Sequence, residues 1–135
     1  MCKTIKQKVK FNSPAKVIYQ LLADSKMHSA FSGERAVISK KVGGTFSAYS
    51  GYITGINVDL HPGKRIVQAW RGKDFPTGIF SMATFNLTAT RDGGTELILT
   101  HRGVPKDLIP GIEKGWREFY WDKMKHYISR DCQLK

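Results

Sequence analysis

Residues 107–128, DLIPGIEKGWREFYWDKMKHYI, decide the fold class. Apolar side chains recur along this segment at steps of three and four residues, at Ile112, Trp116, Phe119, Tyr120, Met124 and Tyr127. This period predicts one amphipathic helix of about 20 residues, because positions three and four apart share a helix face. Asp107 can cap this helix, and Pro110 suits its first turn. The apolar face, with Trp116 at its centre, must be buried against another element.

Residues 4–11 form the first predicted strand. One side of the segment carries Ile5, Gln7, Val9 and Phe11, and the other carries Lys6, Lys8 and Lys10. A period of two over this length predicts a half-buried strand with its lysines facing water. We call these three residues the lysine stripe. Exposed lysines can attract an acidic partner, or they can prevent unwanted pairing at the edge of a sheet.

The rest of the chain up to residue 102 is predicted to form two short helices and then mostly strands. Ser13-Pro14 suits the start of a helix over about 14–22, and Asp24 or Ser25 opens a second helix. Alternating segments separated by glycine-containing turns then indicate a meander of about six strands. The predicted fold is a single α+β domain over residues 1–135. Its antiparallel sheet of about six to seven strands is covered on one face by the long C-terminal helix.

The composition is ordinary for a globular protein, with 41% hydrophobic and 24% charged residues. We predict no membrane span, because no apolar run approaches the necessary length. The N-terminal sequence lacks the apolar segment of a secretory signal, so we expect a cytoplasmic protein. Cys2 and Cys132 form no metal-binding motif, and we expect no zinc site. A disulfide between them would require the two ends of the chain to meet.

The net charge of +11 is the unusual feature of the composition. A positive field of this size favours acidic partners, which include nucleic acid, anionic lipid headgroups and acidic proteins. It can equally serve solubility alone. The basic residues are spread over nearly every predicted element, and no nucleic-acid-binding motif is present, so we expect no specific binding of nucleic acid.

Catalytic and cofactor signatures are few. The four histidines, His28, His61, His101 and His126, lie far apart in the sequence and show no metal-binding spacing. The strand register directs His101 towards the core, where a buried, hydrogen-bonded histidine is a better interpretation than a catalytic base. We therefore predict no cofactor, no metal and no enzymatic activity.

The aromatic residues suggest where a ligand would bind. A sheet that curves around a helix can enclose a cavity lined by apolar side chains and a few polar groups. Our candidates for this lining are Phe46, Ile56, Gln68, Trp70, Ser81, Phe85, Leu99, His101, Trp116 and Tyr120. The alternative is that these residues simply fill the core and bind no ligand.

Two segments resemble a known family. LHPGKRIVQAWR (60–71) and GWREFYWDKMKHYI (115–128) are similar to the activator of heat shock protein 90 ATPase family. That family belongs to the START-like, helix-grip superfamily. The resemblance rests on Pro62, on the strand that ends at Trp70, and on Gly115-Trp116 in the long helix. The loop over residues 70–80 and the aromatic run over residues 119–121 resemble the C-terminal domain of the eukaryotic co-chaperone.

The resemblance implies a helix-grip fold and a non-enzymatic, chaperone-interacting domain whose partner is heat shock protein 90. Candidate partner-binding residues are the lysine stripe together with Phe75 and Pro76 of the loop that carries the resemblance. The first alternative is a carrier or sensor of a small apolar ligand in the cavity between sheet and helix. The last is an enzyme in that cavity, with His101 carrying the proton.

Overall fold

The computed structural model describes residues 3–134, and the side chains of residues 3–130. This part contains seven strands, β1 (Ile5–Phe11), β2 (Val37–Ile38), β3 (Thr45–Ala48), β4 (Ile53–His61), β5 (Arg65–Gly72), β6 (Ser81–Ala89) and β7 (Thr95–Arg102). Its α-helices are α1 (Ala15–Ala23), α2 (Ser25–Ser32), α3 (Ile109–Gly115) and α4 (Asp122–Leu134). The strands form one antiparallel sheet in the order β1-β7-β6-β5-β4-β3-β2. The predicted α+β, helix-grip class is confirmed, whereas the proposals for Cys2 and Cys132 lie outside the described side chains.

The two short helices have different starts. Helix α1 begins directly after Pro14, whose φ of −61° already suits a helix. Helix α2 is capped by Asp24, whose side chain accepts a hydrogen bond from the Met27 backbone amide at 3.0 Å. Gly33 ends α2 in the left-handed conformation, with a φ of 75°. The sequence predicted both helices, and Asp24 is one of the two starts that it offered for α2.

The two faces of the sheet differ in what covers them. The inner face packs against the C-terminal helix, and Ile5, Ile66 and Leu97 on this face are fully buried. The outer face faces water and carries the lysine stripe on β1, as the alternation predicted. Among the strands of residues 3–134, β1 pairs only with β7 and is therefore an edge of the sheet.

Strand β4 places Ile56 on the outer face, which contradicts the prediction that Ile56 lines the cavity. Ile56 is 42% exposed, whereas Ile53 and Asn57 of the same strand are buried. Gly55 is closely packed between its neighbouring strands: a methyl group added there would overlap the Ala69 carbonyl oxygen and stand 2.6 Å from the Phe46 ring. A bulge between Asn57 and Asp59 then increases the local twist and helps to curve the sheet.

The C-terminal helix is not the uniform α-helix that its apolar period predicted. A short 3₁₀ turn over Lys106–Leu108 precedes α3, and Asp107 lies in this turn instead of capping the helix. Wider, π-type turns over Trp116–Trp121 then separate α3 from α4, and the Asp122 amide bonds to the Arg117 carbonyl five residues earlier.

The π-type segment changes which aromatic side chains are buried. In an α-helix, Trp121 would point roughly 140° away from Trp116. The wider turns bring it round, so that the two indole rings stack with centroids 5.6 Å apart and planes 15° apart. Trp121 is therefore buried, whereas Phe119, which the α-helical period placed on the apolar face, is 50% exposed.

Candidate functional site

A pocket of about 600 Å³ lies between the C-terminal helix and the ends of strands β3 to β5. We call it the aromatic pocket, because seven of its lining residues are aromatic: Tyr49, Tyr52, Trp70, Phe75, Trp116, Phe119 and Tyr120. Gly111 and Gly115 contribute no side chain, and a methyl group added at Gly111 would meet nothing within 4 Å. These glycines therefore leave open space on the helix side of the pocket.

Three of the ten predicted cavity residues line this pocket: Trp70, Trp116 and Tyr120. Trp116 is 2% exposed, which confirms its predicted burial. Six others belong to the core of the inner face and are buried outside the pocket lining: Phe46, Gln68, Ser81, Phe85, Leu99 and His101. Gln68, for example, donates a hydrogen bond to the Asn57 side chain at 3.3 Å. The tenth, Ile56, is on the outer face.

His101 is held in a buried hydrogen-bonded chain. The indole N–H of Trp116 donates to its Nδ1 at 3.1 Å, so in the neutral ring the proton is on Nε2. Nε2 lies 2.7 Å from the Ser81 hydroxyl, which in turn donates to the Trp70 carbonyl at 2.7 Å. Burial lowers the pKa of His101 to about 4. Both ring nitrogens are thus used within the protein, an arrangement that connects the helix to strands β5, β6 and β7.

A second buried histidine, His28, was not among the sequence candidates. Its Nε2 lies 3.0 Å from the Tyr120 hydroxyl, and its ring packs against Phe31 with centroids 4.7 Å apart. Burial lowers the pKa of His28 to about 4. The only sequence signal was its position three residues before Phe31, a spacing that places the two side chains on one helix face.

Tyr49 joins the β3–β4 turn to the π-type segment. Its hydroxyl donates to the Phe119 carbonyl, and its ring contacts Tyr120 with centroids 5.6 Å apart. Burial and the nearby charge of Glu34 raise the pKa of Tyr49. Tyr49 and Ser50 both have positive φ, 53° and 55°, which is a strained conformation for residues other than glycine. The turn therefore holds Tyr49 in position at the expense of backbone strain.

The rim of the aromatic pocket is acidic. Glu34, Asp74 and Asp107 belong to the lining and are exposed to solvent. The Tyr52 hydroxyl donates to the Asp74 carboxylate at 2.5 Å, and this hydrogen bond raises the pKa of Tyr52. The described residues that line the pocket include no lysine, arginine or histidine.

The predicted partner-binding residues do not form one surface. The lysine stripe is exposed on the outer face, where Lys10 lies 2.7 Å from Asp92 and Lys8 lies 3.5 Å from Glu96. Pro76 is exposed in the β5–β6 loop. The prediction that Phe75 contacts a partner is not supported by its position, because Phe75 is 5% exposed and packs edge-on against Trp70.

The outer face also exposes an apolar group that the sequence analysis missed. Ile56 and Met82 flank Ala69 in adjacent strands and are 42% and 40% exposed. Phe80, 48% exposed, lies at the entry to β6 with the Arg71 guanidinium 5.8 Å from its ring centroid. We call Ile56, Met82 and Phe80 the outer apolar patch. Exposed apolar groups with a charged border are typical of interaction surfaces.

The described part of the chain offers neither a metal site nor a membrane-spanning helix. Across these residues, no three His, Cys, Asp or Glu side chains are grouped so that they could hold a metal ion. Among the helices of residues 3–134, none has both the length and the apolar character needed to cross a membrane.

Comparison with known proteins gives consistent matches. A family model described as Activator of Hsp90 ATPase homolog 1-like protein matches residues 12–129. The activator of 90 kDa heat shock protein ATPase homolog from Dictyostelium discoideum is 31% identical over 98% of this chain and 34% of its own length. The human homolog 1 is 32% identical over 98% of this chain and 39% of its own. The chain thus spans little more than a third of the length of these relatives.

Solved structures show the same fold. An Hsp90 activator from Plasmodium falciparum aligns with a TM-score of 0.88 at 22% identity, over 93% of this chain and 96% of that one. CalU16 from Micromonospora echinospora aligns with a TM-score of 0.79 at 20% identity, over 98% of this chain and 80% of that one.

Proposed function

Since this chain belongs to the Activator of Hsp90 ATPase homolog 1-like family, we propose that it is a cytoplasmic, co-chaperone-like domain that binds the Hsp90 chaperone. The observation that carries this proposal is the similarity to curated activators of the 90 kDa heat shock protein ATPase over 98% of the chain. The domain acts by binding, and no catalytic step is assigned to it. In support, the ring of His101, the predicted proton carrier of an enzyme, already accepts a hydrogen bond from the Trp116 indole.

The outer face of the sheet is the surface that we assign to the chaperone. Its lysine stripe and the net charge of +11 attract an acidic partner over a long range. Its outer apolar patch supplies area that a partner can remove from water, which is the main source of affinity at interfaces. Such a surface predicts fast, salt-sensitive association and a contact centred on apolar side chains.

Binding by the 135 residues alone is expected to be weak. A tethered second site raises the effective concentration and can multiply avidity by about 10²–10⁴. The alignments cover only 34% and 39% of the curated relatives' own length, so their remaining length offers room for such a site. We therefore expect these 135 residues to bind the chaperone and to stimulate its ATPase little or not at all.

Isothermal titration with purified Hsp90 at low and at physiological salt tests the proposal, with an ATPase assay alongside. Binding should weaken as salt rises, because exposed charges are screened beyond about 8 Å at physiological ionic strength. Charge reversal of the lysine stripe to glutamate should weaken binding more than reversal of three exposed helix lysines, Lys26, Lys114 and Lys125. Absence of binding even at low salt would refute the co-chaperone role, and strong ATPase stimulation would refute the need for a second site.

The second candidate function is that of a carrier or sensor of a small apolar ligand. The aromatic pocket supports it, because 600 Å³ lies within the usual range of about 300–1,000 Å³ for ligand sites. Screening apolar compounds by thermal shift tests this function. Filling the pocket with Gly111→Leu should abolish any stabilisation by ligand. If no compound stabilises the wild type, or if the filled variant responds equally, the carrier function is wrong.

A further inference from the structure

We propose that the aromatic pocket selects a small organic cation, an amine with an apolar body whose ammonium group lies at the acidic rim. This inference rests on the second proposed function, since it names the chemical class of the ligand in that pocket. It is independent of chaperone binding, which we assign to the other face of the sheet.

The charge of the lining is opposite to that of the protein. The chain has 22 lysines and arginines against 11 acidic residues. The described lining nevertheless contains three carboxylates, those of Glu34, Asp74 and Asp107, and no basic side chain. Among the described residues, none of these three carboxylates forms an ion pair with a lysine, arginine or histidine. The pocket is therefore locally acidic and would repel a carboxylate or phosphate ligand.

The aromatic rings favour a cation as well. An ammonium group over the face of a tryptophan or tyrosine ring is attracted by the ring quadrupole. The protein already places a cation near two of the lining rings. The Lys123 ammonium lies 5.8 Å from the centroid of Tyr49 and 5.7 Å from that of Phe119. A ligand ammonium in the pocket would meet the same kind of ring surface.

The distribution of polar groups fixes the orientation of the ligand. Trp70 and Trp116 are almost fully buried and form the apolar interior of the pocket. The carboxylates and Tyr52 are at the exposed rim. An apolar body is therefore expected to lie against the two tryptophans, whose rings contact each other, while the charged end remains among the carboxylates. A permanently neutral apolar ligand would use the interior but gain nothing from the rim.

Three compounds with the same apolar body separate these contributions. Phenylbutylamine is cationic at neutral pH, phenylbutanol is neutral and 5-phenylvalerate, which carries the same phenylbutyl group, is anionic. Isothermal titration of each into the wild-type protein should rank them in that order. We expect the amine to bind about tenfold more tightly than the alcohol, which corresponds to about 1.4 kcal/mol.

Neutralising the rim tests the cause of the preference. The triple variant Glu34→Gln, Asp74→Asn, Asp107→Asn should bind the amine and the alcohol within about twofold of each other, because the charges are gone. A matched control removes three carboxylates that lie outside the lining, through Asp59→Asn, Asp92→Asn and Glu96→Gln. The control should keep the preference for the amine, and thermal unfolding establishes that both triple variants are folded.

The possible outcomes separate this inference from the carrier function. If the amine and alcohol bind the wild type equally, the selection for a cation is wrong while the apolar pocket remains a ligand site. If none of the three compounds binds, the inference is wrong, and the thermal-shift screen of apolar compounds decides the carrier function separately. If the rim variant keeps the preference, or the control loses it, the carboxylates of the rim are not its cause and the inference is overturned.

Discussion

The buried histidines should make the protein unstable in mild acid. His28 is 2% exposed and His101 is fully buried, and burial lowers the pKa of each to about 4 from an ordinary value of 6.5. Between these two pH values the unfolded chain takes up a proton at each site and the folded protein does not. The stability that these two histidines contribute is therefore fully present above about pH 6.5. It falls as the pH is lowered and is lost by about pH 4.

The expected loss is large compared with the stability of a domain. Each pH unit between the two pKa values costs about 1.4 kcal/mol per histidine. The interval from 6.5 to about 4 then corresponds to about 3 kcal/mol for each of them, against a total stability of about 5–15 kcal/mol for a typical protein. The lowered pKa values of Asp59 and Asp92 act only below about 3.8, outside this interval.

Urea unfolding followed by tryptophan fluorescence at a series of pH values measures how steeply the unfolding free energy falls with pH; we call this the pH slope. His101→Gln and His28→Gln should each remove about half of it, because glutamine does not titrate. Glutamine at position 101 can still accept from Trp116 and donate to Ser81, which favours folding of the variant. His126→Gln, on the exposed side of α4, is the control and should keep the wild-type slope. An unfolding free energy that stays constant from pH 6.5 to about 4 would refute the reasoning.

Four substitutions test the packing and the backbone strain by equilibrium unfolding. Trp116→Ala should lower the unfolding free energy by about 3–5 kcal/mol, because it empties a buried aromatic site. Phe119→Ala, at a half-exposed position, should lower it by about 1 kcal/mol or less. Similar losses for the two variants would contradict the assigned helix faces. Gly55→Ala should destabilise the protein by more than about 1 kcal/mol, since its methyl group would overlap the Ala69 carbonyl oxygen and the Phe46 ring, and an unchanged midpoint would place Gly55 elsewhere. Ser50→Gly should stabilise by about 1 kcal/mol by relieving the strain of its positive φ, and a loss of stability would show that no strain is stored there.

The sequence predicted the order of elements and the layers because these depend on hydrophobic period and turn chemistry. The lysine stripe follows from a period of two and the burial of Trp116 from the helical period, and both were located correctly, although the helical period also placed the exposed Phe119 on the buried face. Strand β4 was harder, since apolar residues occur on both of its sides. Hydrophobicity alone favoured Ile56 for the inner face. Gly55 instead occupies an inward position where the Ala69 carbonyl and the Phe46 ring leave no room for a side chain, and such contacts between separate strands leave no trace in the period.

The composition of the pocket was predictable only in part. Trp70, Trp116 and Tyr120 were found because they lie on regular elements whose faces can be assigned. The acidic rim comes from loops and turns, where a sequence pattern gives no direction for a side chain. The π-type turns were missed for a related reason, because they depend on a shift of backbone hydrogen bonds that the apolar spacing does not specify.

The two proposed binding activities should be separable, because one sheet lies between the residues that carry them. The lysine stripe and outer apolar patch belong to the outer face, whereas the aromatic pocket belongs to the inner face and the C-terminal helix. Substitutions at distant sites without shared partners usually have additive effects. Reversal of the lysine stripe should therefore leave the affinity for phenylbutylamine unchanged, and the rim variant should bind Hsp90 like the wild type. If either variant lost both activities while its unfolding free energy was unchanged, the two sites would be coupled through the sheet, and the assignment of separate surfaces would be wrong.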